Sequence, residues 1–474
     1  MNHRVGLDRS QTLLFPERLE DYIAAENPVR FLDAFVASLN LHALGFAKAR
    51  CANTGRPPYD PAVLLKLYLY GYLHRVRSSR LLEAECQRNV EVIWLTGKQT
   101  PDFKTIADFR KDNLKPLQAV ARQFTLLCRK LALFGGELLA IDGSKFAAVN
   151  ARDQNFNAAR LQELIARADA RLAEYLQQLD AVDAAELDSA ALSKSELAQK
   201  IAALRDKRDW HTELREQLDE EQKQISVTDP DTRKLPTAHG MIVGYNAQVA
   251  VDAKHKLIAA ADVTNEGTDC QQLANVALAA KANLELTRTE VIADAGYYNA
   301  SEVSRCVEHG ITTYIPKADT SANTKLGLYG KSQFKYDAVK NEYVCPAGAA
   351  LTYRFSTYEL GRELQYYRAT GCKACSLKSR CMRNKANRTI TREANEYLME
   401  AMAQRMRQQP GKFRLRKTLA EHPFGTIKRW FGYTHFLLKG LAKVQCEWSL
   451  TTLVYNLKRV LNLVSFQKLM AAVG

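Results

Sequence analysis

Two acidic residues each end a short apolar segment, a position from which they could bind metal ions. Asp142 ends the segment 138–142 and Asp294 ends the segment 290–294, and a glycine follows each of them within two residues. Glycine leaves room for a metal and its substrate to approach closely. Because ligands bind at the carboxyl ends of strands in open α/β sheets, two such strands in one sheet would bring both carboxylates together. Either residue alone could equally be an Asp that caps a strand at a turn.

A third acid, Glu421, lies in the segment 417–428, whose apolar residues predict a helix packed against the sheet. Lys428 follows two helical turns later and should share a face with Glu421, although Pro423 argues against an unbroken helix. Three carboxylates with no paired histidine favour Mg²⁺ or Mn²⁺. Two such ions about 3.5–4 Å apart promote in-line displacement at phosphodiesters. The alternative is a solvated Glu–Lys face with no chemical role.

A second set of possible metal ligands consists of four cysteines. Cys372 and Cys375 form a Cys-x₂-Cys pair, and Cys345 and Cys381 lie on either side of it. Four thiolates are the ligand set of a closed structural Zn²⁺ site, which holds polar, core-poor segments in shape. The sequence therefore predicts structural zinc in the segment 320–390, with four free thiols as the alternative.

The charge of the chain favours a polyanionic partner. The 474 residues contain 67 Lys and Arg against 52 Asp and Glu, a net charge of +15. Such an excess favours nucleic acid or an anionic membrane surface, although an ordinary basic enzyme is the alternative. The excess is greatest at 378–429, with 14 basic residues against four acids. There we expect Arg414, Arg416, Lys417 and Lys428 to hold DNA phosphates.

Residues 1–130 are predicted to form a helical domain. Helices should begin at Pro28 and Pro61, a third should cover 81–95, and a fourth should open at 105–110. The fourth helix is flanked by basic residues and could enter a DNA major groove. Its candidate DNA contacts are Lys104, Arg110 and Lys111. A helical bundle whose charged face is merely solvated is the alternative.

Residues 131–474 are predicted to form a mixed α/β domain with two insertions. Apolar segments at 138–142, 245–263, 290–294 and 312–316 indicate strands, and helical patterns lie between the later ones. The insertion 152–225 has the pattern of a long helical hairpin, whereas 320–390 is polar and is expected to be irregular. The chain shows no secretory signal and no span long enough to cross a bilayer, so we expect it to be cytoplasmic and nucleoid-associated.

Several motifs together resemble those of a known family. Segments 138–145, 225–231, 244–252, 292–298 and 421–428, with the tail 437–445, resemble the bacterial insertion-sequence transposases of the DDE type. The resemblance covers almost the whole chain and implies a ribonuclease-H-like catalytic domain with Asp142, Asp294 and Glu421 as its catalytic acids. It also implies that the N-terminal helices recognise transposon ends.

The resemblance implies metal-dependent cleavage at terminal inverted repeats and strand transfer into target DNA by a homodimer on double-stranded DNA. One departure concerns the Tyr and Arg that related transposases often place seven and four residues before the Glu, where this chain has Arg414 and Lys417. Any hairpin-forming step that needs the Tyr is therefore not implied. The alternatives are a metal-dependent nuclease without strand transfer and a catalytically inert DNA-binding descendant of a transposase.

Overall fold

The structure is a computed structural model that describes residues 18–50, 57–150, 154–184, 190–218, 224–238, 240–317, 322–359, 362–384 and 386–474. Its N-terminal part is helical, as predicted. The helices are α1 (Pro28–Ala37), α2 (Pro61–Leu73), α3 (Ser79–Arg88), α4 (Val90–Thr96), α5 (Phe103–Asp112) and α6 (Leu114–Lys130). α1 and α2 begin at prolines because the N–H of the first helical residue has no intrahelical partner to lose.

The single helix predicted over 81–95 is wrong, since the chain forms two helices there. Asn89 lies between α3 and α4 with an extended backbone, and its side chain accepts hydrogen bonds from Glu91 N and Val92 N. This capping satisfies two backbone donors that a new helix leaves free. The apolar spacing runs on through the break, so periodicity alone does not reveal it.

The remainder of the described chain alternates between strands and helices in the following order: β1 (Leu138–Ala147), β2 (Asn155–Phe156), α7 (Ala158–Ala184), α8 (Ala190–Glu216), β3 (Ile225–Ser226), β4 (Arg233–Thr237), β5 (Gly240–Asp252), β6 (Ile258–Thr264), α9 (Leu273–Leu284), β7 (Thr289–Ile292), α10 (Ala300–Glu308), β8 (Ile311–Tyr314), α11 (Ala322–Lys325), β9 (Lys335–Asp337), β10 (Glu342–Val344), β11 (Ala350–Glu359), β12 (Arg362–Ala369), α12 (Lys378–Cys381), β13 (Thr389–Glu393), α13 (Glu396–Gln408), α14 (Pro410–Gly425), α15 (Leu441–Leu463) and α16 (Phe466–Val473).

A mixed sheet occupies the centre of this region, which confirms the predicted α/β class. Its strands follow the order β4-β5-β1-β7-β8, and β6 pairs with β5. β1, β7 and β8 run parallel to one another, whereas β5 runs antiparallel to β1. Helices α9 and α10 cover one face with an aliphatic core, and α14 and α15 pack against the other.

Both insertions have regular structure. The predicted helical hairpin is present as α7 packed against α8, and Phe156, Leu161 and Leu214 are buried at its base. The expectation that 320–390 is irregular is wrong, because strands β9 to β13 form an antiparallel sheet there. Its small core depends on Tyr343 and Tyr367, whose rings meet edge to face. Few positions in these strands are buried, so the alternating pattern was too weak to detect.

The N-terminal helices share one hydrophobic core with the C-terminal helix α15. Phe31, Leu65 and Phe124 belong to the same buried cluster as Trp448 and Leu453. The division at residue 130 therefore stays a prediction, and each side of it covers apolar surface of the other. None of the helices in the described residues is long and apolar enough to span a bilayer.

A buried ion pair joins the N-terminal helices to α15 inside this core. Glu447 on α15 is fully buried and accepts from Arg77 Nη1 at 3.1 Å, and also from the backbone N–H groups of Leu437 and Leu438 at 3.0 Å. Arg77 also donates to the carbonyl of His435 at 3.1 Å. One carboxylate thus fixes the segment after α2, the loop before α15 and α15 itself.

We expect Glu447→Gln to lower the free energy of unfolding by about 3–5 kcal/mol, because it leaves the Arg77 charge buried without its partner. Urea denaturation followed by circular dichroism measures the change. The matched control is Arg88→Gln, which breaks a pair between the exposed Arg88 and the partly buried Glu85 and should cost less than about 1 kcal/mol. Equal losses in both variants would contradict a structural role for the buried pair.

Candidate active site

The two predicted aspartates lie at neighbouring positions because of the register between β1 and β7. Ala140 on β1 pairs with Ile292 on β7 in parallel. Asp142 lies two residues after Ala140, and Asp294 lies two residues after Ile292. β7 ends at Ile292, whereas β1 continues to Ala147, so Asp142 lies within its strand and not at the strand end as expected. Pairing with β7 nevertheless stops before Asp142. Both acids therefore occupy the carboxyl edge of the parallel strands.

The side chain of Asp142 is mostly buried. Burial raises the pKa of this carboxyl to about 6; the nearby Arg416 opposes the shift, while the charge of Asp294 and then that of Asp269 add to it. Arg416 on α14 lies with Nη1 3.5 Å from Asp142 Oδ2. The sequence analysis assigned Arg416 to DNA phosphates, but the structure places it beside the acid.

A third acid that the sequence analysis missed, Asp269, lies beside these two. It follows β6 in a loop, and its Oδ1 accepts from Asn246 Nδ2 and Gln248 Nε2, both at 2.7 Å. Gln248 in turn accepts from the hydroxyl of Tyr297. The available signal was the pair of polar residues Asn246 and Gln248 inside the otherwise apolar strand β5.

Among the described residues no ion pair forms between Glu421 and Lys428, which the sequence analysis expected to share a face. α14 continues through Pro423 and is followed by a π-helical turn at Thr426–Trp430, which changes the angular spacing between the two residues. Glu421 is exposed, whereas Lys428 Nζ donates to Ser144 Oγ at 2.7 Å and to the carbonyl of Lys145 at 2.9 Å. Within the described residues, no three His, Cys, Asp or Glu side chains are arranged to hold one metal ion.

The other candidate DNA contacts differ in their exposure. Arg414 and Lys417 on α14 are exposed, as are Lys104 and Lys111 on α5. Arg110 is buried, with its guanidinium 3.3 Å from the Tyr72 hydroxyl and over the ring of Tyr68. The assignment of Arg110 to DNA is therefore wrong, because its position on α5 faces the core. The pattern of basic residues in the sequence gave no information about which face of the helix is buried.

The four candidate zinc ligands surround one small cavity of about 50 Å³ beside the second sheet. Cys345 Sγ accepts from Ala349 N at 3.3 Å, and Cys372 Sγ accepts from Arg388 N at 3.5 Å. Burial raises the pKa of Cys381; Arg388 opposes this, and the other three thiols add to it, so all four lie close together. The structure brings the set together, although not in metal-binding geometry.

Comparisons with known proteins point to one class of enzyme. Residues 344–461 match the family described as a transposase DDE domain, and residues 17–112 match a transposase domain described as DUF772. The first match includes Glu421, and the second includes α1 to α5. No curated protein matches the sequence.

The fold search finds similarity to the piggyBac transposase in a synaptic complex with hairpin DNA. The identity is 9% and the TM-score 0.32, and the match covers 94% of this chain and 79% of that one.

A substitution at Gly143 tests how closely the aspartates pack at this sheet edge. A Cβ at Gly143 would overlap Gln248 Nε2 and lie 2.8 Å from Asp269 Oδ1. We expect Gly143→Ala to lower the free energy of unfolding by about 1–3 kcal/mol. The control is Gly425→Ala, where nothing lies within 4 Å and the backbone is helical. That change should leave stability unchanged or raise it by up to about 1 kcal/mol. A Gly143→Ala protein as stable as the control would rule out the close packing.

Proposed function

Since this chain belongs with the insertion-sequence DDE transposases, the class that both family matches indicate, we propose that it cuts DNA at transposon ends and joins the cut ends to target DNA. The observation that carries this proposal is the register of β1 with β7, by which Asp142 and Asp294 lie together at one sheet edge. We further propose that the sheet is ribonuclease-H-like, which its three parallel strands bordered by an antiparallel hairpin support.

The acids would hold divalent cations. When bound, such ions activate a water or a 3′-hydroxyl and stabilise the leaving oxygen. The carboxylates of Asp142 and Asp294 suit them, because oxygen ligands are what Mg²⁺ and Mn²⁺ prefer. Burial raises the pKa of Asp142, and the neighbouring charge of Asp294 adds to that shift. Arg416 neutralises part of that charge. Glu421, on the exposed side of α14, is the third catalytic acid in this proposal. It would complete the site once DNA is bound.

Exposed basic residues around the acids would hold the DNA. Arg414 and Lys417 stand on the helix that carries Glu421, and their charges can bind phosphates without reading sequence. Lys428, which burial gives a lowered pKa, fixes α14 to β1 through Ser144, and so it positions the helix. Lys104 and Lys111 on α5 are the candidate contacts by which the protein recognises transposon ends. We propose that it binds two ends as a homodimer.

We expect Asp142→Asn, Asp294→Asn and Glu421→Gln each to slow cleavage by about a thousandfold or more, because several kcal/mol of transition-state stabilisation depend on the metal site. Affinity for end DNA should change by less than about twofold, since phosphates are held by other residues. The assay uses a DNA fragment carrying the inverted repeats that flank the gene, a supercoiled target plasmid and Mg²⁺. Glu308→Gln, an exposed acid on α10, is the control.

The products distinguish the alternatives. Joined donor and target molecules support a transposase, whereas cut ends without joining would indicate a nuclease. Specific binding to the ends with neither product, in Mg²⁺ or Mn²⁺, would indicate an inert descendant. Full activity in Glu421→Gln alone would remove that residue from the site and leave the two aspartates in place.

We also propose that the cysteine set binds one structural Zn²⁺. The support is its donor set: four thiols around one cavity, two of them accepting from backbone N–H groups. We expect elemental analysis of untagged protein to find one zinc per chain. Cys372→Ser should lose it and melt at a lower temperature, while Cys270→Ser, outside the set, should keep it. Zinc-free protein that is unaffected by Cys372→Ser would mean free thiols.

A further inference from the structure

Two positive side chains lie over the ring of an exposed tryptophan. Trp430 is 42% exposed, and the guanidinium carbon of Arg75 and the Nζ of Lys458 lie 4.5 and 4.8 Å from the centroid of its ring. Trp430 ends the π-helical turn after α14, Arg75 follows α2, and Lys458 lies on α15. Three separate segments thus form one surface of two cations and an aromatic ring, here called the tryptophan surface.

Both cations of the tryptophan surface keep their charge. Among the described residues no acid forms an ion pair with Arg75 or Lys458. The ring of Tyr314 also has two cations over it, but that ring is buried, and Lys412 there pairs with Glu290. An aromatic ring attracts a cation without neutralising it, whereas a carboxylate would. The surface therefore stays suited to an anionic ligand.

Buried contacts fix the backbone beneath this surface. Phe431 packs edge to face against Trp430 and stacks on Tyr433, with ring centroids 4.8 and 5.4 Å apart. The hydroxyl of Tyr433 donates to the carbonyl of Tyr72 at 2.6 Å, three residues before Arg75. Because groups that are already held in place lose little freedom on binding, an anion binds there at a small cost in entropy.

The backbone at Arg75 suits glycine better than arginine. Its φ is 68°, in the left-handed region where a side chain causes strain that glycine avoids. Within the described part of the chain, the guanidinium of Arg75 forms no hydrogen bond and lies over the ring of Trp430. A requirement of folding alone therefore does not explain an arginine here, whereas an anionic ligand does.

We propose that the tryptophan surface contacts the sugar–phosphate backbone of double-stranded DNA, with Arg75 and Lys458 binding phosphates and Trp430 packing beside them. The inference rests on the proposed function, because the polyanion is the DNA on which a transposase acts. A duplex bound there contacts both the N-terminal helices and the segment after α14, which Lys428 fixes to β1 through Ser144. These contacts are additional to those proposed on α5 and α14.

The double variant Arg75→Gln/Lys458→Gln removes both charges. We expect its Kd for a fluorescently labelled duplex carrying the inverted repeat to rise by about tenfold or more, because each phosphate contact releases about 0.9 counterions. The slope of log Kd against log salt should fall by roughly one to two. Fluorescence anisotropy across a salt series measures both. The control Arg171→Gln/Lys200→Gln removes the same charge from exposed positions on α7 and α8.

Arg75→Gly separates DNA binding from folding. Glycine suits the positive φ, so we expect the melting temperature to stay the same or rise while the Kd for the duplex increases by about threefold or more. Trp430 reports the contact directly. In the unsubstituted chain the duplex should protect part of the tryptophan fluorescence from quenching by iodide, and Trp430→Phe should lose that protection.

The outcomes separate this inference from the proposed function. If the unsubstituted chain binds no duplex, the proposed function itself is wrong. If it binds, and Arg75→Gln/Lys458→Gln keeps its affinity and salt slope, the inference is overturned while the transposase proposal stands. Equal losses in the two double variants would also overturn it, because overall charge would then set the affinity. A loss confined to the tryptophan surface, with protection of Trp430 from iodide, supports it.

Discussion

The parallel pairing of β1 with β7 is the constraint on which the candidate site depends. Backbone hydrogen bonds that align Ala140 with Ile292 leave Asp142 and Asp294 side by side, although they are 152 positions apart in the chain. A shift of one residue would turn one carboxylate to the opposite face. The apolar side chains that α9 and α10 bury against these strands therefore hold the chemistry in place as well as the fold.

The cost of this register is electrostatic. Acids at one sheet edge repel one another, and burial makes the repulsion stronger. Three features accommodate the acids. Arg416 lies beside Asp142, side-chain amides donate to Asp269, and glycines stand where any side chain would enter the same space. None of these features pairs every carboxylate with a cation, and for this reason we propose that divalent cations bind there.

The second dependence links the site to the rest of the molecule. α14 carries Arg416 and Glu421, and Lys428 just after it is bonded to β1. The same region leads into the loop held by Glu447 and Arg77, and so into the core shared with the N-terminal helices. The N-terminal helices and the end of α14 are thus linked through one buried core.

The sequence by itself determined features that depend on neighbours along the chain. Local spacing and chain stiffness account for the helix starts at the prolines of α1 and α2, the helical hairpin, the strands that lead to Asp142 and Asp294, and the grouping of four cysteines. The family resemblance rested on the same short motifs, and the family matches confirm it.

Only the tertiary structure decided which side chains meet. Asp269 lies beside the two aspartates because Asn246 and Gln248 on β5 bind it. Arg110 is not available to DNA because its face of α5 is buried. Arg416 lies beside Asp142. The sheet of β9 to β13 was likewise not detected from the sequence, since its strands bury few residues. Proximity of this kind arises from packing between distant segments, and no local pattern in the sequence records it.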